Sequence, residues 1–228
     1  MKKIFIISLG GSLIVPDEID WQFLKDFKKL IERQIKKGRK FVLIVGGGKI
    51  CRRYQAAAQK VAKVSNQEND WLGIQATRLN AFLVKTVFSK QAHPQININP
   101  QQPENFKEPI LVAAGWQPGF STDYDAVVLA KNLGASEVVN LSNVNYVYDK
   151  DPNKFAGAKK IERISWRDFR KIIGFKWRPG LNVIFDSMAS KIAEEHNLSV
   201  AIMNGKNLKN LENYLNGGNF EGTLIENK

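Results

Sequence analysis

The 228-residue chain is long enough to form one large α/β domain with a full core, since 43% of its residues are hydrophobic. Its formal net charge of +12 favours anionic partners, although a solvated helix face explains many of the lysines equally well. The single cysteine, Cys51, excludes an internal disulfide, and two histidines are too few for a persuasive zinc or Cys-His site. No run reaches a membrane-spanning length, and we expect a cytoplasmic protein.

Two glycine-rich breaks each follow a strand-like apolar run and open a helix-like one. Residues 4–9 lead into Gly10-Gly11-Ser12, and residues 41–45 lead into Gly46-Gly47-Gly48. Glycine lets a backbone approach an anion closely, and the start of a helix adds free N–H donors and partial positive charge. Repeated strand ends of this kind predict a cradle for several phosphates.

Helical and strand-like patterns alternate after each break. Apolar residues recur at helical spacing over 19–35 and again around 57–64. Asp70 is placed to cap a third helix, whose apolar face would serve either the core or a subunit interface. Residues 91–109, with four prolines, predict an irregular excursion before a strand at 110–114.

A third glycine-containing turn spans residues 115–123 and opens a further helix, for which Ser121, Thr122 or Asp123 would provide the cap. The pattern then gives a strand at 137–141 and a polar loop at 142–152. The remaining elements are a short strand near 159, a helix from Ser165, a loop at 176–180, a helix from Asp186, a strand at 198–203, a helix at 208–215 and an edge strand at 222–225. Together they predict one domain, a three-layer α/β/α sandwich with a mainly parallel central sheet.

The glycine breaks match neither the P-loop pattern nor the dinucleotide fingerprint. Phosphoryl transfer depends on positioning and on charge stabilisation, which backbone donors and cations supply. Lys49 and Arg52 follow the triple glycine closely enough to reach a phosphate, although Arg52 is equally well explained as a surface residue. Asp123 either complements a helix dipole or orients cationic groups around phosphates.

Taken together, these segments resemble the amino acid kinase superfamily, and most closely the archaeal-type uridylate kinases. The matching stretches run through nearly the whole chain in the expected order: Ser8-Leu9-Gly10-Gly11-Ser12, Gly46-Gly47-Gly48-Lys49 with Arg52, Asp70-Trp71-Leu72-Gly73-Ile74, Ala76-Thr77-Arg78-Leu79-Asn80-Ala81, Pro118-Gly119-Phe120-Ser121-Thr122-Asp123, Asn143-Val144, Val147-Tyr148, Asp151-Pro152 and Gly222-Thr223.

The resemblance implies phosphorylation of UMP to UDP by ATP with Mg²⁺, in pyrimidine nucleotide biosynthesis, by a dimer or hexamer. Residues 1–135 would form the UMP side and residues 136–228 the ATP side. The UMP-binding positions would be Gly47, Asp70, Gln117, Pro118, Gly119, Phe120, Ser121, Thr122 and Asp123. The ATP-binding positions would be Gly10, Gly11, Ser12, Gly48, Arg52, Ser142, Asn143, Tyr148 and Asp151. The catalytic set would be Asp123, Lys49, Arg52 and either Lys176 or Arg178, with no protein side chain assigned as a metal ligand.

Three departures from the family pattern matter. Ser8 stands where other branches of the superfamily place a lysine, which the archaeal-type enzymes also lack. Asn145-Tyr146 replaces a common Asp-Gly beside the expected ATP site. A lysine is expected in the later loop, where Lys176 and Arg178 are both available.

Three rival interpretations remain open at the level of sequence. Another small-molecule kinase of the superfamily would share the glycine breaks. A non-catalytic relative that binds nucleotides or oxyanions would fit the altered Asn145-Tyr146 pair. Nucleic-acid binding rests on the net charge alone and lacks the aromatic-basic motif of known modules.

Overall fold

The computed structural model describes residues 3–152, 154–173 and 184–227, and within them strands and helices alternate as predicted. The strands are β1 (Ile4–Leu9), β2 (Lys40–Val45), β3 (Ile110–Ala113), β4 (Glu137–Ser142), β5 (Val147–Tyr148), β6 (Lys160–Ile161), β7 (Arg163–Ser165), β8 (Ser199–Asn204) and β9 (Thr223–Glu226). The helices are α1 (Gly11–Ile14), α2 (Trp21–Lys36), α3 (Gly48–Val61), α4 (Asn66–Val87), α5 (Thr122–Asn132), α6 (Trp166–Ile173), α7 (Ser187–Glu195) and α8 (Leu208–Leu215).

Seven strands form the central sheet, in the order β3-β2-β1-β4-β8-β9-β7, and β5 pairs with β6 in a separate antiparallel ribbon. The pairs from β3 to β8 are parallel, whereas β9 runs antiparallel to β8. The chain was expected to end on an edge strand, and this is wrong. β9 lies between β8 and β7, because the short strand β7 adds to it in parallel and takes the edge.

Helices cover both faces of the sheet, which confirms the predicted three-layer sandwich. Alternate residues of β1 divide between two cores: Phe5, Ile7 and Leu9 pack with residues of α2, α4 and α8, whereas Ile6 packs with residues of α5, α6 and α7. Strands buried on both faces are apolar along their length, as parallel strands require. Among the described helices, none combines the length and apolarity needed to cross a bilayer.

Helix α4 begins five residues before the predicted start. Ser65 is the N-cap. Its hydroxyl accepts a hydrogen bond from Glu68 N–H, and the Glu68 carboxylate accepts one from Ser65 N–H, which together form a capping box. The predicted capping role of Asp70 is therefore wrong: Asp70 lies within the helix, and its carboxylate accepts a hydrogen bond from Gly119. This contact fixes α4 against the turn that precedes α5.

The predicted apolar face of α4 divides between the core and the surface. Ile74 and Val84 are buried, while Leu79 and Phe82 are 61% and 57% exposed. The neighbouring helix α3 has no fully buried residue. Leu79 and Phe82 thus expose apolar surface on the outer side of α4.

Candidate active site

The carboxyl ends of four neighbouring strands are joined by backbone hydrogen bonds beyond the strands themselves. Gly46 N–H donates to the Leu9 carbonyl at 3.0 Å, Gly10 N–H to Leu141 at 2.9 Å, and Gly205 N–H to Ser142 at 2.8 Å. The loops that leave β2, β1, β4 and β8 therefore start side by side. Ligands of open α/β sheets collect at such an edge.

The first two glycine breaks touch each other directly. A Cβ atom on Gly11 would lie 2.1 Å from the Gly48 nitrogen, and one on Gly48 would lie 2.5 Å from the Gly11 carbonyl oxygen. Gly48 also has a φ of +67°, which side chains rarely adopt. Both residues open helices, where the first N–H groups lack intrahelical partners. Two sets of backbone donors therefore lie at one place.

Helix α4 holds the second break and the third turn with two buried polar side chains. The Asn80 amide donates to the carbonyl oxygens of Gly46 and Gly47, at 2.9 and 3.1 Å. The Thr77 hydroxyl accepts from Gly115 N–H at 2.9 Å. Sequence reasoning found Asn80 as part of a motif but assigned it no role.

The predicted UMP-side turn, residues 117–123, and the two residues before it are anchored from α4 as well as from α5. Asp70 accepts from Gly119 N–H at 2.9 Å, and Arg78 donates to the Trp116 carbonyl at 3.3 Å. The intervening Gln117 and Pro118 lie in this turn, as does Phe120. Ser121 is the N-cap of α5, since its hydroxyl accepts from Tyr124 N–H, and Thr122 is the first helical residue.

Asp123 lies on the first turn of α5 and contacts two strands of the sheet. Its Oδ1 accepts from the Asn140 amide at 2.8 Å and from the Ser8 hydroxyl at 3.3 Å. Ser8 and Asn140 are buried polar residues in otherwise apolar strands, one or two positions before the strand ends. A lone polar residue near the carboxyl end of a buried strand is the signal that could have identified both.

Two further acids lie beside Asp123. Asp186 caps α7 through the N–H groups of Met188 and Ala189 and also accepts from the Ser121 hydroxyl at 2.6 Å. Asp125 is 1% exposed. Sequence reasoning gave Asp186 only as a helix start and passed over Asp125.

Burial and nearby negative charge raise the pKa values of Asp123 and Asp125. Burial, and then the nearby Asp186 charge, raise the pKa of Asp123 to about 7, and hydrogen bonds from Ser8 and Asn140 offset part of the rise. Burial, followed by the charges of Asp123 and Asp186, raises the pKa of Asp125 to about 8. A cation brought to Asp123 would favour its ionised form.

The two predicted cations on α3 lie at the surface. Lys49 forms a salt bridge with Asp17, which also pairs with Arg53 at 3.2 Å. Arg52 is exposed and forms no ion pair among the described residues. The predictions for Lys176 and Arg178 fall outside the described residues.

Four of the predicted ATP-side positions lie at or after the end of β4. The Ser142 carbonyl accepts from Gly205, and its hydroxyl accepts from Val144 N–H at 3.3 Å, while Asn143 is exposed. Tyr148 lies on β5 opposite Lys160. Asp151 is exposed, and its carbonyl accepts from the N–H groups of the turn that follows. The structure thus places Ser142 at the strand ends and the other three positions on the loop and ribbon beyond.

Comparison with known proteins extends over nearly the whole chain. The amino acid kinase family matches residues 3–204. A uridylate kinase from Methanoculleus marisnigri is 33% identical over 228 residues, which cover 99% of this chain and 96% of that protein. One from Methanospirillum hungatei is 34% identical over 223 residues, 96% and 93% of the two chains. The crystal structure of uridylate kinase from Archaeoglobus fulgidus is 30% identical, with a TM-score of 0.83 over 99% of this chain and 100% of that one.

Proposed function

Because the chain belongs to the amino acid kinase family, we propose that it transfers the γ-phosphoryl group of ATP to UMP, releasing UDP and ADP. The observation that carries this proposal is the direct contact of the Gly11 and Gly48 loops at the sheet edge that also holds Asp123. The relatives named uridylate kinase, at about a third identity over the full chain, support UMP as the acceptor.

The two halves of the chain hold the two nucleotides. Residues 1–135 bind UMP through Gly47, Asp70 and the turn 117–123, and residues 136–228 bind ATP around Ser142 and the ribbon that carries Tyr148. Asp70 keeps lone pairs for the ribose hydroxyls beyond the one used by Gly119 N–H. The phosphates meet where the loops converge, so that the acceptor oxygen attacks in line with the leaving ADP.

Backbone dipoles and cations stabilise the charge of the moving phosphoryl group. N–H groups at the starts of α1 and α3 are fixed before the substrates bind, so they need little reorganisation during reaction. The acceptor is already a phosphate oxygen, and no general base has to remove a proton from a hydroxyl. Asp123 would instead orient a cation at the phosphates. Lys49 pairs with Asp17 and Arg52 is exposed on α3, so neither forms an ion pair with Asp123 in the described chain, and Lys176 or Arg178 is the remaining predicted cation.

Magnesium fits this site as an ion bound mainly by nucleotide phosphates. No group of three or more His, Cys, Asp or Glu able to hold a metal occurs in the described part of the chain. Mg²⁺ is commonly bound through one or two carboxylates together with substrate phosphates and water, and Asp123 is the carboxylate available at the converging loops. When ATP is bound, the ion would neutralise part of the negative charge on its phosphates.

The activity is tested directly with purified protein, ATP, Mg²⁺ and UMP, with UDP measured by chromatography. We expect UDP to accumulate with UMP, and CMP, AMP and small carboxylic acids serve as acceptor controls. Turnover of another acceptor in place of UMP would overturn the substrate assignment. Tight ATP binding without turnover of any acceptor would instead indicate a non-catalytic relative.

The outer surface of α4 is proposed as a subunit interface, in a dimer or a hexamer. Trp71, Leu79 and Phe82 expose 39%, 61% and 57% of their surface on this helix. Light scattering should give a mass at least twice that of the 25.8 kDa chain, and Leu79→Glu should lower it. A monomeric wild-type protein would contradict this interface. We place the reaction in pyrimidine nucleotide biosynthesis, in the cytoplasm.

A further inference from the structure

Thr223 belongs to the Gly222-Thr223 segment that matches the uridylate kinases, yet the proposed reaction assigns it no role. It is the first residue of β9 and is completely buried. A buried hydroxyl is costly unless it is hydrogen-bonded, and a valine of the same shape would suit a buried strand without that requirement. The partners of this hydroxyl therefore indicate why a threonine stands here.

The Thr223 hydroxyl forms its hydrogen bonds with the β5-β6 ribbon. It accepts from Val147 N–H on β5 at 2.8 Å, and it donates to the Ile161 carbonyl on β6. Val147 and Ile161 lie opposite each other in the ribbon. One buried hydroxyl thus links both strands of the ribbon to the central sheet.

The ribbon is too short to hold its own position. β5 and β6 contribute two residues each, and an isolated two-stranded ribbon is at best marginally stable in water. Its place relative to the sheet therefore depends on contacts outside the ribbon. These include the burial of Val147 in the core, a 2.9 Å hydrogen bond from Leu224 N–H to the Glu162 carbonyl, and the bonds of the Thr223 hydroxyl.

Thr223 is itself fixed near the carboxyl edge of the sheet. It lies opposite Ile202 on β8, two residues before that strand ends. The preceding Gly222 approaches β8 closely, since a Cβ atom on it would lie 2.4 Å from the Ile202 carbonyl oxygen. Immediately after β8, Gly205 N–H bonds the Ser142 carbonyl. The hydroxyl that holds the ribbon is thus anchored beside the edge where the loops start.

We propose that Thr223 is a positioning residue for ATP, because its hydroxyl sets where the β5-β6 ribbon, and with it Tyr148, lies relative to that edge. Without the hydroxyl, the Val147 N–H and the Ile161 carbonyl lose a partner, and the ribbon can shift. Such a shift moves Tyr148 away from ATP and leaves the acceptor turn, on the other half of the chain, in place. The inference rests on the proposed function, since that proposal places ATP against the ribbon.

Two substitutions separate the hydroxyl from the shape of the side chain. Thr223→Val keeps the shape and removes both hydrogen bonds, whereas Thr223→Ser keeps the hydroxyl. We expect the KM for ATP to rise about tenfold in the Val variant and to stay within about twofold of wild type in the Ser variant. The KM for UMP should stay within about twofold in both. Ser165→Ala, which removes a hydroxyl bonded to Asp168 N–H at the start of α6, controls for lost stability and should leave both KM values unchanged.

Binding of a non-hydrolysable ATP analogue, measured by calorimetry, gives a readout that needs no turnover. The Kd should rise about tenfold in Thr223→Val and stay close to wild type in Thr223→Ser. If Thr223→Val is recovered unfolded, Thr223→Cys takes its place, because a thiol is a weaker hydrogen-bonding group. A rise of about threefold is then expected, and an unchanged Kd would overturn the proposal.

A double-mutant cycle tests whether Thr223 acts through the ribbon. Tyr148→Ala removes the ribbon side chain assigned to ATP and should raise the Kd for the analogue. Added to Tyr148→Ala, Thr223→Val should raise this Kd less than about twofold, because the contact that the hydroxyl positions is already lost. The same tenfold rise in both backgrounds would show that Thr223 does not act through Tyr148.

The remaining outcomes are distinct. Unchanged KM and Kd for ATP in a folded Thr223→Val protein would overturn the positioning role. Equal rises in the KM for ATP and for UMP would overturn it as well, since a general loss of structure explains them. Failure of wild type to form UDP while it binds the analogue would reject the proposed activity, and the Kd comparison would still decide the role of Thr223. Failure of wild type to bind the analogue would reject the ATP site and this inference with it.

Discussion

The two ends of the central strands differ in whether their charged side chains have partners of opposite charge. At the amino ends, Lys3 pairs with Glu137 at 2.9 Å, and the Tyr214 hydroxyl donates to the same carboxylate at 3.0 Å. At the carboxyl ends, Asp123 and Asp125 are held close together without a cation partner among the described residues. Paired charges at a surface stabilise a fold only slightly, whereas acids with strongly raised pKa values and no cation partner are typical of functional sites.

A groove lies at the opposite end of the strands from the acid cluster. It has a volume of about 930 Å³ and lies between the β5-β6 ribbon and the loop after α8. Its cations Lys160 and Arg163 are paired with Glu162 and Glu226. These charges are therefore compensated within the described chain, whereas those of Asp123 and Asp125 are not.

Of the substitutions considered, Asp123→Asn at the carboxyl-end site should lower turnover the most. Turnover should fall by about 10²–10³, because the charge that orients cations is lost. The Tm should stay equal or rise, since the variant relieves repulsion from Asp186. Steady-state kinetics and thermal melting check both parts, and near-normal turnover would remove the role assigned to this residue.

Comparing Gly48→Ala with a control glycine should separate the effect of close contact between the Gly11 and Gly48 loops from the effect of backbone strain. Its Cβ would lie 2.5 Å from the Gly11 carbonyl oxygen, so the two loops must move apart, and kcat/KM should fall by about 10². Gly217→Ala is the matched control, because Gly217 has a φ of +79° but nothing within 4 Å of a new Cβ. Both variants should lose about 1–2 kcal/mol of stability from the left-handed conformation. Equal kinetics in the two would contradict convergence of the loops.

Asn80→Ala should have a smaller effect on the same loops. Two glycine carbonyls lose their donor, which should lower kcat/KM for UMP about tenfold and stability by about 1–3 kcal/mol. Asn210→Ala provides the control, since the Asn210 side chain makes two 2.7 Å hydrogen bonds with the backbone of Glu221 beside the groove. It should lower the Tm comparably and leave kcat/KM unchanged. A similar kinetic loss in both variants would mean that Asn80 acts through stability alone.

Glu137→Gln should have the smallest effect. It breaks the salt bridge with Lys3, whose side chain is 60% exposed, so the stability change should stay below about 1 kcal/mol. Turnover should remain within about twofold of wild type. A large kinetic loss would show that the amino ends take part in function.

The sequence predicted most of the sheet because buried parallel strands leave a plain signal. The apolar runs of β1 and β2, each ended by glycine, are confirmed almost to the residue. The start of α4 was misplaced, since the Ser65 capping box was overlooked in favour of Asp70. The place of β9 inside the sheet depends on pairing with β7, which no local pattern reveals.

The candidate site was predicted less evenly. Glycines in the two loops predict that their backbones approach closely, and the structure brings Gly11 and Gly48 into contact as expected. Asp125 and Asn80 were passed over because each looks like an ordinary helix residue until its partner, far away in the chain, is known. The resemblance to uridylate kinases is confirmed by relatives that match along the full length.

The most direct test of the converging-loop account is a crystal structure of the protein with UMP and a non-hydrolysable ATP analogue. We predict that the phosphates of the two nucleotides meet at the carboxyl ends of β1 and β2, with oxygens about 2.7–3.2 Å from N–H groups at the starts of α1 and α3. Nucleotide bound instead in the groove beside Lys3 and Tyr214, with the Gly11 and Gly48 loops making no phosphate contact, would contradict the account.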